Sequence, residues 1–178
     1  KGRFWWNKRS EEGFKKAAEY FQQAIDKDPN YALAYVGLAD AYSIPESYGL
    51  VSPAEAFPKA KAAVTKALEL DDTLAEAHAS LAFTKMLYDR DYSGAEREFQ
   101  RSIELDPTYA TARFWYSLLL LEALGRNDEG LSQIKRAVAL DPFSLIINRN
   151  LGTELLLVRQ YDAALDQLRK TVEMDPSF

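Results

Sequence analysis

The segment Asp89-Arg90-Asp91-Tyr92-Ser93-Gly94 is where this chain comes nearest to ligand chemistry, because its D-x-D-x-S-G order imitates the opening of a calcium-binding loop. Such a loop needs a bidentate glutamate at its twelfth position, where Gln100 stands, and Arg97 would occupy a ligand position. The segment therefore reads as a turn, with Tyr92 opening a helix. The single histidine, His78, falls at a packing position of a helical stripe and reads as a hydrogen-bonded structural side chain rather than a general base. The absence of cysteine excludes disulfides and thiolate metal ligands, and no glycine-rich phosphate loop is present. These residues predict no catalytic group, no metal site and no cofactor.

The elements that position these residues are set by periodic punctuation. Asp106-Pro107, Asp141-Pro142 and Asp175-Pro176 recur 35 and then 34 residues apart, and Asp28-Pro29 lies upstream. Each closes the same run of small, large and small residues: Ala17, Phe21, Ala24; Ala95, Phe99, Ser102; Gly130, Ile134, Ala137; Ala164, Leu168, Thr171. A further copy, Ala60, Val64, Ala67, ends at Asp72 without proline. Steps of four and three place each set on one helical face, small residues allowing close approach of a neighbouring helix. Proline stops the helix because it lacks an N–H and displaces its predecessor from the α region.

A second helix precedes each of these. Its stripes are Tyr35, Leu38, Ala39, Tyr42; His78, Leu81, Ala82, Lys85; Arg113, Tyr116, Ser117, Leu120; and Asn148, Leu151, Gly152, Leu155. The spacing W-x2-L-G-x2-Y, then A-x3-F, then P resembles the tetratricopeptide repeat family over nearly the whole chain. The resemblance implies an all-α fold: a right-handed superhelical solenoid of about five antiparallel helix pairs, whose concave face takes peptides or protein segments. The expected organisation is one solenoid over 1–178, with repeats 1–29 (first helix truncated), 30–72, 73–107, 108–142 and 143–178.

At 47% hydrophobic and 28% charged residues the chain suits a folded domain. A net charge of −5 argues against a duplex-binding surface; the basic residues Lys1, Arg3, Lys8, Arg9, Lys15 and Lys16 read as a solvated face. Nothing is long and apolar enough for a membrane span. A start at Lys1 and a stop after Asp175-Pro176 are expected of a piece of a larger protein. A cytoplasmic setting is expected, or a periplasmic one if the parent has a span upstream. Ile44–Ser52 exceeds the repeat period by nine residues and reads as a loop insertion, after which Ser52-Pro53-Ala54-Glu55 predicts a capping box opening a helix over 53–70, bent near Pro58. Trp5 and Trp6 are adjacent and cannot both face inward on one helix.

In this family the first helix of each repeat lines the inner wall, which implies a partner-binding face of Val36, Asp40, Glu76, Phe83, Met86, Phe114, Leu118, Leu121, Ile146, Arg149 and Thr153. Acidic and small residues stand where relatives that clamp a terminal carboxylate carry cations, so that mode is not expected. The reading is a protein-interaction scaffold holding a peptide or protein segment by apolar anchors, above all Phe83, Phe114 and Leu118, with Arg149 pairing an acid. The alternative is a regulatory sensor taking a small ligand or peptide near the 44–52 loop. Segments such as 2–42 and 52–83 also resemble repeat regions of bacterial multidomain transcriptional regulators and serine/threonine kinases, which implies a signalling role within a larger protein. Neither end offers a polar cap, so Phe4, Trp5 and Trp6, with Leu165, Leu168, Val172 and Met174, predict a weak homodimer through the ends.

Overall fold

An aspartate ends nearly every second helix because its extended backbone and its side chain stop the helix together. The computed structural model describes residues 1–176; residues 177 and 178, counted in the last expected repeat, lie outside them. Among the described residues all regular structure is helical. One compact unit, Lys1–Leu105, holds α1 (Gly2–Trp6), α2 (Glu11–Lys27), α3 (Ala32–Ser47), α4 (Pro53–Leu70), α5 (Ala75–Thr84), a π-helical turn (Lys85–Asp89) and α6 (Tyr92–Leu105). The other, Asp106–Phe178, holds α7 (Ala110–Leu118), a π turn (Leu119–Ala123), α8 (Asn127–Leu140), α9 (Leu145–Leu157) and α10 (Tyr161–Met174). Within each unit, consecutive helices joined by short turns pack on one another.

The turns between repeats are built alike. Asp28, Asp71 and Asp106 each accept at Oδ1 from the backbone N–H two residues on, Asn30, Thr73 and Thr108, an Asx turn that works with or without the following proline. The residue at the first stripe position of the next helix then reaches back six residues. Tyr35 Oη donates to the Pro29 carbonyl at 3.2 Å, Arg113 Nε to that of Pro107 at 3.3 Å and Asn148 Nδ2 to that of Pro142 at 3.0 Å, while His78 Nε2 lies 2.9 Å from the Asp72 carbonyl. Four different side chains thus perform one task, satisfying a carbonyl of the turn that follows the ended helix.

The turns inside repeats share a second device. Arg9, Gly49, Arg90, Gly125 and Arg159 all have φ between 49° and 68°, the left-handed residue that closes a helix C-terminus. Arginine replaces glycine at three of these because its charge also suits the negative end of the helix dipole. Ser10 Oγ and Asp91 Oδ1 then accept from the N–H of Gly13 and Gly94, opening α2 and α6. The false calcium loop is accounted for: Arg90 is the left-handed residue and Asp91 is the cap.

Packing follows the small–large alternation. In the first unit Val36, Leu38, Val64, Ala67 and Ala77 form a buried core, and the Phe21 ring lies against Gly2 and Gly37, where any Cβ would overlap it. In the second, Ile134 and Ala137 are fully buried, and Gly152 makes the same room for Leu168. Complete burial of one such large side chain contributes about 1.5–3 kcal/mol.

Three local expectations are corrected. The insertion is not a nine-residue loop, because α3 continues through Ile44 and Pro45 to Ser47, where Ile44 and Pro45 gain burial; only 48–52 are non-helical. Pro53 does open α4, but the Ser52 side chain makes no cap bond; its carbonyl accepts from Glu55 and Ala56 instead. Trp6 is 7% exposed rather than open, because its indole N–H donates to the Asp40 carbonyl and two arginines lie over its ring. Phe4, Leu165, Val172 and Met174 are exposed.

Candidate functional site

The inner-face positions divide by burial. Val36, Asp40, Phe83, Met86, Phe114 and Leu121 are buried; Glu76, Leu118, Ile146 and Thr153 are half-buried; Arg149 is exposed. The phenyl rings of Phe83 and Phe114, 4% and 7% exposed, therefore serve packing. Truncating either to alanine would cost about 3–5 kcal/mol of stability and would not report on binding. In the second unit the open side chains gather on α9. Ile146, Arg149, Thr153 and Leu156 recur at spacings of three and four along one face. Arg149 forms no ion pair among the described residues, so its cation is available to a partner's acid.

Asp40, a buried carboxylate at 1% exposure, is fully partnered. Arg3 Nη1 donates to Oδ2 at 2.7 Å and Ser80 Oγ to Oδ1 at 2.5 Å. The sequence places Arg3 on a solvated basic face and gives Ser80 no role; the ion pair with buried Asp40 corrects the first and the Ser80 hydrogen bond the second. Gly2 faces Phe21 as Gly152 faces Leu168. That equivalence puts Arg3 at the inner position Thr153 holds in the last repeat. The expected phase of the first repeat missed it because α2 starts six residues before Ala17, whereas α10 starts three before Ala164.

The second unit holds a buried acid without such a cation. Glu154 is 1% exposed, and its Oε2 has no hydrogen-bond partner among the described residues. Ser117 Oγ stands 2.7 Å from both Glu154 Oε1 and the Phe114 carbonyl. One hydroxyl proton cannot serve both, so the second bond needs the proton of a neutral carboxyl. Burial, with Glu122 nearby, pushes the Glu154 pKa up to about 8 despite the Ser117 contact.

His78 is a structural group. Its Nδ1 lies 2.8 Å from Glu98 Oε2 and its Nε2 faces a carbonyl. Both neighbours can only accept, so both ring nitrogens must donate and the imidazolium is favoured. The hydrogen bond to Glu98 raises the His78 pKa, and the same contact, with Lys85, lowers that of Glu98 to about 2. Arg113 with Gln133, and Asn148 with Gln167, repeat this bridge to the partner helix at 2.9 and 2.7 Å.

A cleft of about 370 Å³ lies in the first unit among α2, α3, α4 and the 48–52 link. It exists because three helices there overrun the repeat. α2 and α4 begin six and seven residues before their small residues Ala17 and Ala60, where α6, α8 and α10 begin three before theirs. α3 has 16 residues against 13 in α9. The link is fixed by hydrogen bonds from Gly49 N–H to the Glu46 carbonyl and from Leu50 N–H to that of Pro45, and by the Phe14–Tyr48 ring contact at 5.8 Å. No group of three histidine, cysteine or acidic side chains among the described residues is placed to hold a metal. No helix among them is long and apolar enough to cross a membrane.

Comparison with known proteins agrees with this geometry. Over 127 residues, 71% of this chain, it is 28% identical to the transcriptional regulator HilA of Salmonella typhimurium. That stretch is 23% of the regulator, so the chain spans under a quarter of its length. Among solved structures, TTC0263, a thermophilic TPR protein from Thermus thermophilus, is 20% identical with a TM-score of 0.74, covering 93% of this chain and 84% of that one. MamA is 23% identical at a TM-score of 0.58, covering 96% and 93%. YrrB, described as a TPR protein with an unusual peptide-binding site, is 24% identical at 0.57, covering 93% and 79%. At these identities the likeness is one of fold. A family profile described as tetratricopeptide repeat matches residues 8–42 and 87–144, more than half of the sequence, and the chain belongs to the tetratricopeptide repeat family.

Proposed function

We propose that this chain is a protein-interaction module, not an enzyme, and that it holds an extended or helical segment against the inner face of its first helices. The observation that carries the reading is the α9 face, where exposed Arg149 stands between Ile146 and Thr153, with Leu118 on α7 half-open. Apolar contacts supply affinity there, and Arg149 selects a partner with an acidic group. Binding through all the inner positions, including Val36, Asp40, Glu76, Phe83, Met86, Phe114 and Leu121, requires the buried ones to act by shaping the wall. The likeness to HilA supports a place within a larger bacterial regulatory protein; a cytoplasmic setting goes with that reading, and the net charge of −5 favours a protein partner over nucleic acid. The exposed residues at the two ends support weak self-association, measurable by sedimentation at high concentration. A displayed random-peptide library selected against the chain tests the main reading. Selected segments should combine apolar and acidic residues and should lose about tenfold in affinity to the Arg149→Glu variant. Segments that bind the variant equally well would remove the α9 face from the site.

A second reading, a regulatory sensor for a small ligand near the 44–52 loop, is favoured by one observation. Pro45, Leu50 and Val51, from the stretch that exceeds the repeat period, line part of the 370 Å³ cleft, a volume typical of small-molecule sites.

A further inference from the structure

Eight residues after its small residue, each second helix carries an apolar side chain. Ile25, Leu68, Ile103 and Val138 are all buried or half-buried there. Ile25 and Leu68 share a core with side chains of α3 and α5, the first helices of the repeats that follow them. In α10 the same position is Val172, 59% exposed. Leu165, two turns earlier on that face, is also open, although its counterpart on α8, Leu131, is buried.

The first helices hold the other half of this contact. Two residues after their small residue stand Ala41, Thr84, Leu119 and Glu154, each at most 3% exposed. Ala41 lines the cleft with Phe14 and Ala18 of α2, and Glu154 lies 2.7 Å from Ser117 of α7, so the position faces the preceding repeat. In α1, where Gly2 is the small residue, the position is Phe4, 58% exposed.

We infer that α10 of one copy docks on α1 of a second copy, repeating between chains the contact that joins successive repeats within one; this mode rests on the self-association proposed above. Leu165 and Val172 present one half of that contact, and Phe4 presents the other. Charge favours the same occupant. Residues 161–175 carry four acids against two bases, and residues 1–16 carry six bases against two acids. Asp162, Asp166 and Glu173 flank the α10 face without ion pairs among the described residues, while Lys8 lies over the Phe4 ring and Lys16 over that of Trp5. Pairing α10 with α10, or α1 with α1, would set like charges together.

Sedimentation equilibrium of the whole 178-residue chain, from about 10 μM to about 1 mM, tests this with two variants at exposed positions. Phe4→Gln alters the α1 face and Leu165→Gln/Val172→Gln the α10 face, and circular dichroism checks that both remain folded. The wild-type chain should associate with rising concentration, and each variant alone at least about tenfold more weakly. Mixing the two variants should restore one full contact as a one-to-one complex, since one keeps an intact α10 and the other an intact α1. A variant that associates as strongly as wild type, or a mixture that restores nothing, overturns the α1–α10 mode and leaves self-association standing. A wild-type chain that stays monomeric at about 1 mM leaves both faces to another occupant, such as an adjoining segment of a longer protein, and removes self-association as well.

Discussion

Replacing Glu154 by glutamine should make the protein more stable, and increasingly so as the pH rises. The carboxyl is buried at 1% exposure with one oxygen unpartnered, and its pKa of about 8 stands well above the ordinary 4.5. Between those values the folded chain holds a proton that the unfolded chain has released. Stability then falls with rising pH, by about 1.4 kcal/mol per unit. The contribution is complete below the unfolded value and is lost on rising through the folded one, for a total on the order of 5 kcal/mol. Glutamine keeps the shape and the neutral state at every pH, so the variant should match the parent near pH 4 and exceed it by roughly 3 kcal/mol near pH 7. Urea unfolding followed by far-ultraviolet circular dichroism across this range measures the difference. Parallel pH profiles for the two proteins would show that Glu154 is ionised in the fold, and the argument from burial and the single Ser117 proton would fail.

Three further outcomes are expected. His78 is the sole histidine, so its ring protons titrate alone in an NMR spectrum; the midpoint should lie above 6.5, moved up by Glu98, and the stability this gives is present below 6.5 and lost as pH rises through the folded midpoint. A midpoint at or below 6.5 would contradict the doubly donating imidazolium. Arg3→Met should cost about 2 kcal/mol, reduced from the fully buried case because Arg3 is 42% exposed; the Arg3→Met/Asp40→Asn pair should cost less than the single change in urea midpoint, and additive losses would argue against an uncompensated Asp40. Gly37→Ala drives a methyl into the Phe21 ring and should cost about 1–3 kcal/mol, partly restored by Phe21→Leu, as thermal melting would show.

The helical pairs were legible because their signals are local: a proline, an Asx turn and an alternation of small and large residues each act within one turn of helix. His78 shows the same for a single side chain, since its stripe position already implied a packed, bonded role. The site was less legible. Whether Phe83 or Arg149 is open depends on how far neighbouring helices overlap, and no spacing within one helix records that. Asp40 reads as an acid on a binding wall until Arg3 is placed beside it, and that placement turns on the three additional residues at the start of α2. Glu154 gave no signal at all, because a glutamate on a helix is ordinarily solvated.

One feature of the spacing did carry structural information. His78 and Arg113 each lie 17 residues before the small residue of the following helix, Ala95 and Gly130, whereas Asn148 lies 16 before Ala164. The two repeats with the added residue are those whose first helices end in π turns, Lys85–Asp89 and Leu119–Ala123; α9 ends without one. A π turn absorbs one residue without breaking the helix, and both still reach a left-handed residue, Arg90 and Gly125, five positions before the small one. The longer addition after α3 could not be absorbed in this way. It extends the helix past Pro45 and leaves a five-residue link, 48–52, of which Leu50 and Val51 line an open cleft. Single additions are thus accommodated silently within the repeat, while the long one creates new surface, and that is where a function beyond the shared scaffold has room to arise.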